Sequence, residues 1–240
     1  MKWNKKFNYP TSTRALIDGK RHYDVGTNEK LPSVTTILSA TQSEEKKQSL
    51  ANWQARMGKQ YADRVRDIAA LRGTSMHTYL EGYIKDERHL DLTALGQEAG
   101  RMADVVIRSG LGDLEEVWGT EVTLYYPGLY AGATDVVGIY DGRESIIDFK
   151  QTNKPKQREW IGDYFTQLAA YAMAHNHIYD TQIQQGVILM CSKDGFFQKF
   201  VVSDKEFKDC KYKFLEKVDQ YYQNCTKNPD DHDTKNGQKV

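Results

Sequence analysis

The sequence predicts an α/β or α+β domain with an enzyme-type core, and three observations carry that prediction. Segments of helical periodicity and segments of strand texture succeed one another along the chain, which neither a helix bundle nor a sandwich shows. Three neighbouring segments, over 117–126, 130–140 and 144–151, are rich in Val, Ile, Thr and Tyr, and Pro127-Gly128 and Asp141-Gly142 punctuate them as hairpin turns. A long helical segment over 158–178 then leads to a second strand pair, over 182–192 and 196–202, around Lys193-Asp194-Gly195.

The remaining elements follow in order. Residues 1–40 read as irregular, apart from a hairpin around 21–30 that enters Leu31-Pro32-Ser33-Val34-Thr35-Thr36-Ile37-Leu38. Thr41-Gln42-Ser43-Glu44 has the form of a capping box, so a helix should follow it, with Leu50, Trp53 and Met57 at helical spacing and an end before Arg72-Gly73. A separate helix is expected over 74–85, because His77, Leu80, Glu81 and Ile84 share one face. Another is expected over 94–109, closed by Gly110 as a left-handed cap. Ser203-Asp204-Lys205-Glu206 is a second capping box and should open a final helix to about 224. With 240 residues the chain can bury a sizeable core, and 1–227 reads as one domain, followed by a tail over 228–240 too polar to pack.

Composition narrows the functional classes. Lys plus Arg balances Asp plus Glu at 33 each, which argues against coating nucleic acid through bulk charge while leaving room for a local basic stripe. Hydrophobic residues make up 39%, and no run approaches the length of a bilayer span, so no membrane role is expected. The N-terminus is basic but lacks the apolar stretch of a secretory signal. Cys191, Cys210 and Cys225 form no CxxC pair, which leaves a disulfide framework, a zinc knuckle and an iron–sulfur cluster unsupported. A reducing compartment is the expected home.

The chemistry concentrates in Gly132-Ala133-Thr134-Asp135 and Ile147-Asp148-Phe149-Lys150. Side chains on a strand alternate, so Asp148 and Lys150 point one way and Ile147 and Phe149 the other. An acid and a lysine among Val136, Val137, Ile146 and Ile147 are costly unless paired or bound to metal. If the hairpin register brings Asp135 opposite Asp148, two carboxylates converge beside an ammonium. Hard oxygen donors of this kind suit Mg²⁺, which polarises a phosphate and activates water. Lys150 would then orient the water, help deprotonate it, or stabilise charge on the phosphate. An Asp-x-Lys triplet alone is common and equally describes a strand-surface ion pair. His77, with Glu81 one turn further on the same face, adds an imidazole that suits Mn²⁺ better than Mg²⁺. Gln167 and Tyr171, four residues apart, could share a face toward the catalytic strands.

Taken in order, Gly73-x-x-x-His77, Gly132-x-x-Asp135, Asp148-x-Lys150 and Gln167-x-x-x-Tyr171 resemble the motif set of RecB-type PD-(D/E)XK nucleases. The chain is more similar still to the mitochondrial genome maintenance exonuclease group and its phage and bacterial relatives, from Leu31 to the final helix. The resemblance implies a three-layer α/β core, a mixed central sheet flanked by helices, preceded by a helical arch over 43–109 with the catalytic core over 113–224. It implies that Asp135, Asp148 and the Phe149 carbonyl hold Mg²⁺ or Mn²⁺, that His77 serves a second metal position, and that Lys150 serves the nucleophile. Glu121 falls at an acidic position of the same pattern. Single-stranded DNA would pass through the arch. Ser33, Thr35 and Thr36 would contact phosphates, and the matching stretch after Lys150 adds Gln151 and Thr152. The chain departs from helicase-linked members in lacking both their four cluster cysteines and a Walker A sequence, so neither an iron–sulfur cluster nor ATP use is expected. No mitochondrial targeting segment is recognisable, which favours the cytoplasm of a bacterial or phage-infected cell over an organelle matrix.

Lys154, Lys156, Arg158 and Trp160 follow the catalytic strand, and a basic run beside an aromatic can track a backbone and stack a base. Gly73-Thr74-Ser75-Met76-His77 lacks the second glycine of a nucleophile elbow, and His77-Thr78-Tyr79-Leu80-Glu81 is not HExxH. A glycosidase would leave Lys150 unexplained. The expectation is therefore a DNA exonuclease acting on single-stranded ends in replication, recombination or turnover. Its rivals are a double-strand exonuclease, a structure-specific endonuclease, and a non-catalytic nucleic-acid-binding module.

Overall fold

The structure, a computed structural model, describes residues 1–26 and 29–227, so the tail expected over 228–240 lies outside the described residues. The chain opens with β1 (Lys2–Trp3) and a small sheet of β2 (Thr13–Ile17), β3 (Lys20–Asp24) and β4 (Lys30–Pro32). Helices α1 (Val34–Ala40), α2 (Glu44–Met57), α3 (Lys59–Ile84) and α4 (Ala94–Gly110) follow. Then come β5 (Leu114–Tyr126), β6 (Tyr130–Tyr140), β7 (Arg143–Thr152), α5 (Gly162–Tyr179), β8 (Gln185–Ser192), β9 (Phe197–Ser203) and α6 (Asp204–Lys227). Among the described residues, no helix is long and apolar enough to cross a membrane.

Six strands form the central sheet in the order β1-β5-β6-β7-β8-β9. The meander β5-β6-β7 is antiparallel, β7 and β8 are parallel through the α5 crossover, and β8 and β9 are antiparallel, so the sheet is mixed. Strand alternation sorts the apolar side chains between two layers. Val136, Ile147, Phe149 and Leu189 pack with Met76 and Leu80 of α3 and Met102 and Val106 of α4. Val137, Ile146, Ile188 and Met190 pack with Ile37 of α1, Leu168 of α5 and Phe207 and Phe214 of α6. All of β8 is buried, as expected of a strand covered on both faces. The result is the α/β three-layer arrangement, a mixed sheet flanked by helices, that the sequence implied.

The Asp141-Gly142 turn closes β6 onto β7 with Tyr140 opposite Arg143, and both turn residues have positive φ (49° and 71°), as a type I′ hairpin requires. Several boundaries differ from the sequence reading. The expected break at Arg72-Gly73 falls instead at Gly58, between α2 and α3, and α3 runs unbroken through Gly73, which packs rather than terminates: a Cβ there would lie 3.3 Å from Gln151 Cγ. Gly110 is likewise no left-handed cap, since its φ is −126°; a Cβ there would meet Phe197 at 2.9 Å. Thr41 closes α1, donating its hydroxyl to the Ile37 carbonyl, while Ser43 caps α2 by accepting from the Lys46 N–H. Residues 1–40 are not irregular. They build the small sheet and α1, whose N-cap Ser33 accepts from the Thr36 N–H and bridges Ala131 of β6.

Candidate active site

The ladder between β6 and β7 runs from Tyr140↔Arg143 to Val136↔Ile147. Beyond it the strands part: β6 continues along β5 through Thr134, and β7 along β8 from Asp148 to Thr152. Asp135 sits at the fork. Its Oδ2 accepts the Phe149 N–H at 2.6 Å, in place of the next backbone rung, and its Oδ1 meets His77 Nδ1 at 3.1 Å. Asp148 and Lys150 point to the same side of β7 and form an ion pair. Lys150 Nζ also lies 5.1 Å from the centre of the Tyr164 ring on α5. Asp148 Oδ2 is buried, and its partner is the Lys150 ammonium.

The electrostatics follow from this crowding. Burial opposes the charge on His77, but the Asp135 carboxylate outweighs it and pushes the imidazole up to about 9. Burial likewise opposes ionisation of Asp135, yet His77, Lys150 and the Phe149 N–H hold it below the usual carboxylate range. Asp148 is pushed above that range, chiefly by burial, in spite of Lys150. Lys150 is partly withdrawn from water, which opposes its charge, but Asp148 and Asp135 overcome that cost and hold it firmly protonated. Glu121 enters from β5 on a left-handed backbone, φ 51°, which is uncommon for a non-glycine residue and costs conformational energy. Loss of hydration, followed by the neighbouring Asp135, pushes its carboxyl up to about 7.

His77, Glu121 and Asp135 bring ligand atoms within 4.8 Å of one another, a set able to hold a metal ion. The donor chemistry fits a divalent cation: carboxylate oxygens and one imidazole, with the Asp148 carboxylate lining the same cavity.

Around these groups lies a cavity of about 640 Å³. Its walls include His77, Glu81, Glu121, Asp135, Asp148 and Lys150, together with Gln167, Tyr171, Ser33 and Thr35. Gln167 Nε2 donates to the Tyr171 hydroxyl at 3.1 Å. Gly132 makes room for that ring, since a Cβ there would lie 2.7 Å from Tyr171 Cε1. Glu81 is engaged by Lys85 at 2.5 Å.

Other sequence-derived candidates do not line this cavity. Thr36 donates its hydroxyl to the Arg21 carbonyl. Gln151 commits its amide to α3, accepting from Arg72 Nε and donating to the Ala69 carbonyl, each at 2.9 Å. Thr152 donates to the Lys154 carbonyl, and the Lys156 N–H is taken by Gln198. Trp160 is 60% exposed at the entry to α5, away from the cavity walls.

Sequence reasoning missed three groups. Arg14, Arg21 and Tyr23 of the small sheet line the cavity, and no local motif announces them. Tyr164 lies over Lys150; its spacing of three before Gln167 and seven before Tyr171 was a helical-face signal that could have found it. Arg72 is buried and ties Gln151, Glu98 and Asn153 together, which only the packing of α3 on β7 reveals.

The fold and the motif order are those of a PD-(D/E)XK-like nuclease. No protein-family profile matches the chain. It is similar to proteins named mitochondrial genome maintenance exonuclease 1. With that of Mus musculus it is 29% identical over 74% of this chain and 56% of the relative. With that of Homo sapiens it is 31% identical over 69% of this chain and 50% of the relative. The chain thus spans about half the length of these relatives. Among solved structures, a putative exonuclease from Eubacterium rectale is 12% identical, with 65% of each chain covered and a TM-score of 0.48.

Proposed function

We propose that the chain is a Mg²⁺- or Mn²⁺-dependent DNA exonuclease that hydrolyses phosphodiester bonds at single-stranded ends, in DNA replication, recombination or turnover. One observation carries the reading: Asp135, Asp148 and a protonated Lys150 converge with His77 and Glu121 where β6 and β7 part. A module that only bound nucleic acid would have no use for so close a cluster of charge around the buried Asp148. The names of the relatives, all exonucleases, support the same class.

Asp135, Asp148 and the Phe149 carbonyl would hold one cation, and His77 with Glu121 would complete a second position that shares Asp135. A bound divalent cation supplies Lewis acidity toward the phosphate and a nucleophile from water. Lys150 offers its ammonium to the phosphate oxygens, where negative charge grows during hydrolysis. Asp148 keeps that ammonium in place, and the Gln167–Tyr171 pair forms a fixed polar wall beside it. Ser33 and Thr35 would meet the strand at the opposite wall. Helices α2 to α4, within 43–109, would act as the arch. α2 has no buried residue, which suits a segment whose partner is the threaded strand.

Cleavage of end-labelled linear single strands, linear duplexes and circular single strands, with and without divalent metal, tests this. Lys150→Ala should lower the rate on linear single strands by about 10³-fold while DNA binding survives. Digestion at the wild-type rate by that variant would overturn the nuclease assignment. Rapid loss of the circles would point to an endonuclease, and preference for the duplex to a double-strand exonuclease.

A further inference from the structure

The small N-terminal sheet brings positive charge to a cavity otherwise dominated by acids. In the β2–β3 ladder Arg14 pairs with Tyr23 and Leu16 with Arg21. Directly opposed residues of an antiparallel pair project to the same side, so both arginines and Tyr23 share one face. Arg14, Arg21 and Tyr23 all line the cavity that holds Asp135, Asp148 and Lys150. Tyr23 is buried, and the Arg14 guanidinium lies over its ring, 5.9 Å from the centroid. The Arg21 carbonyl accepts from the Ser33 N–H and from the Thr36 hydroxyl, each at 2.9 Å. Ser33 in turn bridges Ala131 on the strand that carries Asp135. This wall is therefore stapled to the catalytic strand.

No carboxylate among the described residues lies within ion-pairing distance of either guanidinium. Among the described residues, the arginines paired with carboxylates are Arg66, Arg72, Arg143 and Arg158. Within the cavity, Asp135 is taken by His77 and the Phe149 N–H, Asp148 by Lys150, and Glu81 by Lys85. Glu121, the remaining acid of the cavity, forms no ion pair with either arginine among the described residues, so two exposed planar donors, one backed by an aromatic ring, face a hydrolytic centre without a direct carboxylate partner. Phosphate oxygens match such forks in charge and geometry.

We propose that Arg14 and Arg21 form a phosphate subsite on the small sheet, distinct from the acid–lysine centre, which grips a second phosphate of the strand being cleaved. This rests on the nuclease reading above. The phosphate is either an internal diester or a terminal monoester, and the two are separable.

Binding of labelled single-stranded oligonucleotides, measured in EDTA so that no cleavage intervenes, provides the test. Both arginines are exposed, so Arg14→Ala/Arg21→Ala should fold normally, and circular dichroism checks this. The double variant should bind about tenfold more weakly at low salt, with the dependence of log K on log salt flatter by about 1.4. Replacing one phosphodiester by an uncharged methylphosphonate should weaken wild-type binding at a particular linkage and leave the variant indifferent there. If the wild type prefers phosphate-ended over hydroxyl-ended strands and the variant does not, the ligand is the terminal phosphate. An equal loss on both kinds of strand assigns an internal diester. Arg14→Lys/Arg21→Lys should recover the salt slope but only part of the affinity. Unchanged affinity and slope in the alanine variant, or an unchanged response to every neutralised linkage, overturns the subsite. A wild type that binds but never cleaves with metal would sink the nuclease reading alone.

Discussion

His77 and His175 are both enclosed by protein on helices that cover the central sheet, yet they are driven to opposite charge states. His77, at the fork of β6 and β7, faces Asp135 and is pushed up to about 9. His175, fully buried on α5, is pulled down to about 4 by burial, with Lys6 adding to the effect. Its neighbours are rings and hydroxyls: Phe7 at 4.9 Å and Tyr179 at 4.8 Å between centroids, Thr181 on Nδ1 at 2.7 Å and Tyr9 on Nε2 at 3.1 Å. A hydroxyl can donate or accept, so two of them satisfy a neutral imidazole completely. The core removes charge and satisfies what remains. The fork gathers charge and pairs it, Asp135 with His77 and Asp148 with Lys150. One carboxylate separates the two regimes.

Removing that carboxylate is the most direct way to break the contrast. Asp135→Asn should lower cleavage by about 10³-fold, and by proton NMR His77 should then titrate well below 9, since Asp135 supplies the largest part of the upward shift. Titration still near 9 would mean that Asp135 is not its partner.

Acid should act on the other histidine. The folded pKa of His175 lies below its ordinary 6.5, so the unfolded chain binds the extra proton between about 6.5 and 4. Its stabilising effect is complete above pH 6.5 and is lost as the pH falls through this window, by roughly 3 kcal/mol in all. The stability gap between wild type and His175→Gln in urea unfolding should accordingly narrow by roughly 3 kcal/mol from pH 7 to pH 4, while the folded fraction still cleaves DNA. A gap independent of pH would show that packing alone accounts for the loss.

The smallest effect concerns Glu121. Its folded pKa is raised from 4.5 to about 7, so the metal-free fold is favoured below pH 4.5 and pays for the carboxylate as the pH rises through 7. Solvent reaches this residue, which keeps the effect below about 1 kcal/mol. Metal-free Glu121→Gln should melt slightly higher than wild type at pH 8 and equally at pH 4.5. Added Mn²⁺ should reverse the order at pH 8. Identical melting at both pH values in the absence of metal would remove Glu121 from the charged cluster.

Much of the fold was legible because its signals are local. The period of two along β7 separates Asp148 and Lys150 from Ile147 and Phe149, and turn chemistry marks the meander. Gly73 and Gly110 were misread because a glycine needed for close packing looks the same in sequence as one needed for positive φ. Asp135, Asp148 and Lys150 could be brought together from one hairpin. Arg14 and Arg21 could not, because Ser33 and Ala131 carry their sheet to the cavity across a long stretch of chain. Gln151 looked free for substrate only while its partners on α3 were unknown.

The two-residue turn at Asp141-Gly142 sets a parity condition on the chemistry. It fixes Tyr140 opposite Arg143 and, counting down the ladder, Val136 opposite Ile147, so that Asp148 and Lys150 emerge on the α5 side. Lengthening the turn by one residue would force β7 to slip by one position or to bulge. A slip would hand the carboxylate and the ammonium to the apolar layer of α3 and α4. Lengthening it by two could be absorbed without inverting either face. Drift at this tip is therefore tolerated in even steps and punished in odd ones, although the tip itself touches none of the groups at the fork.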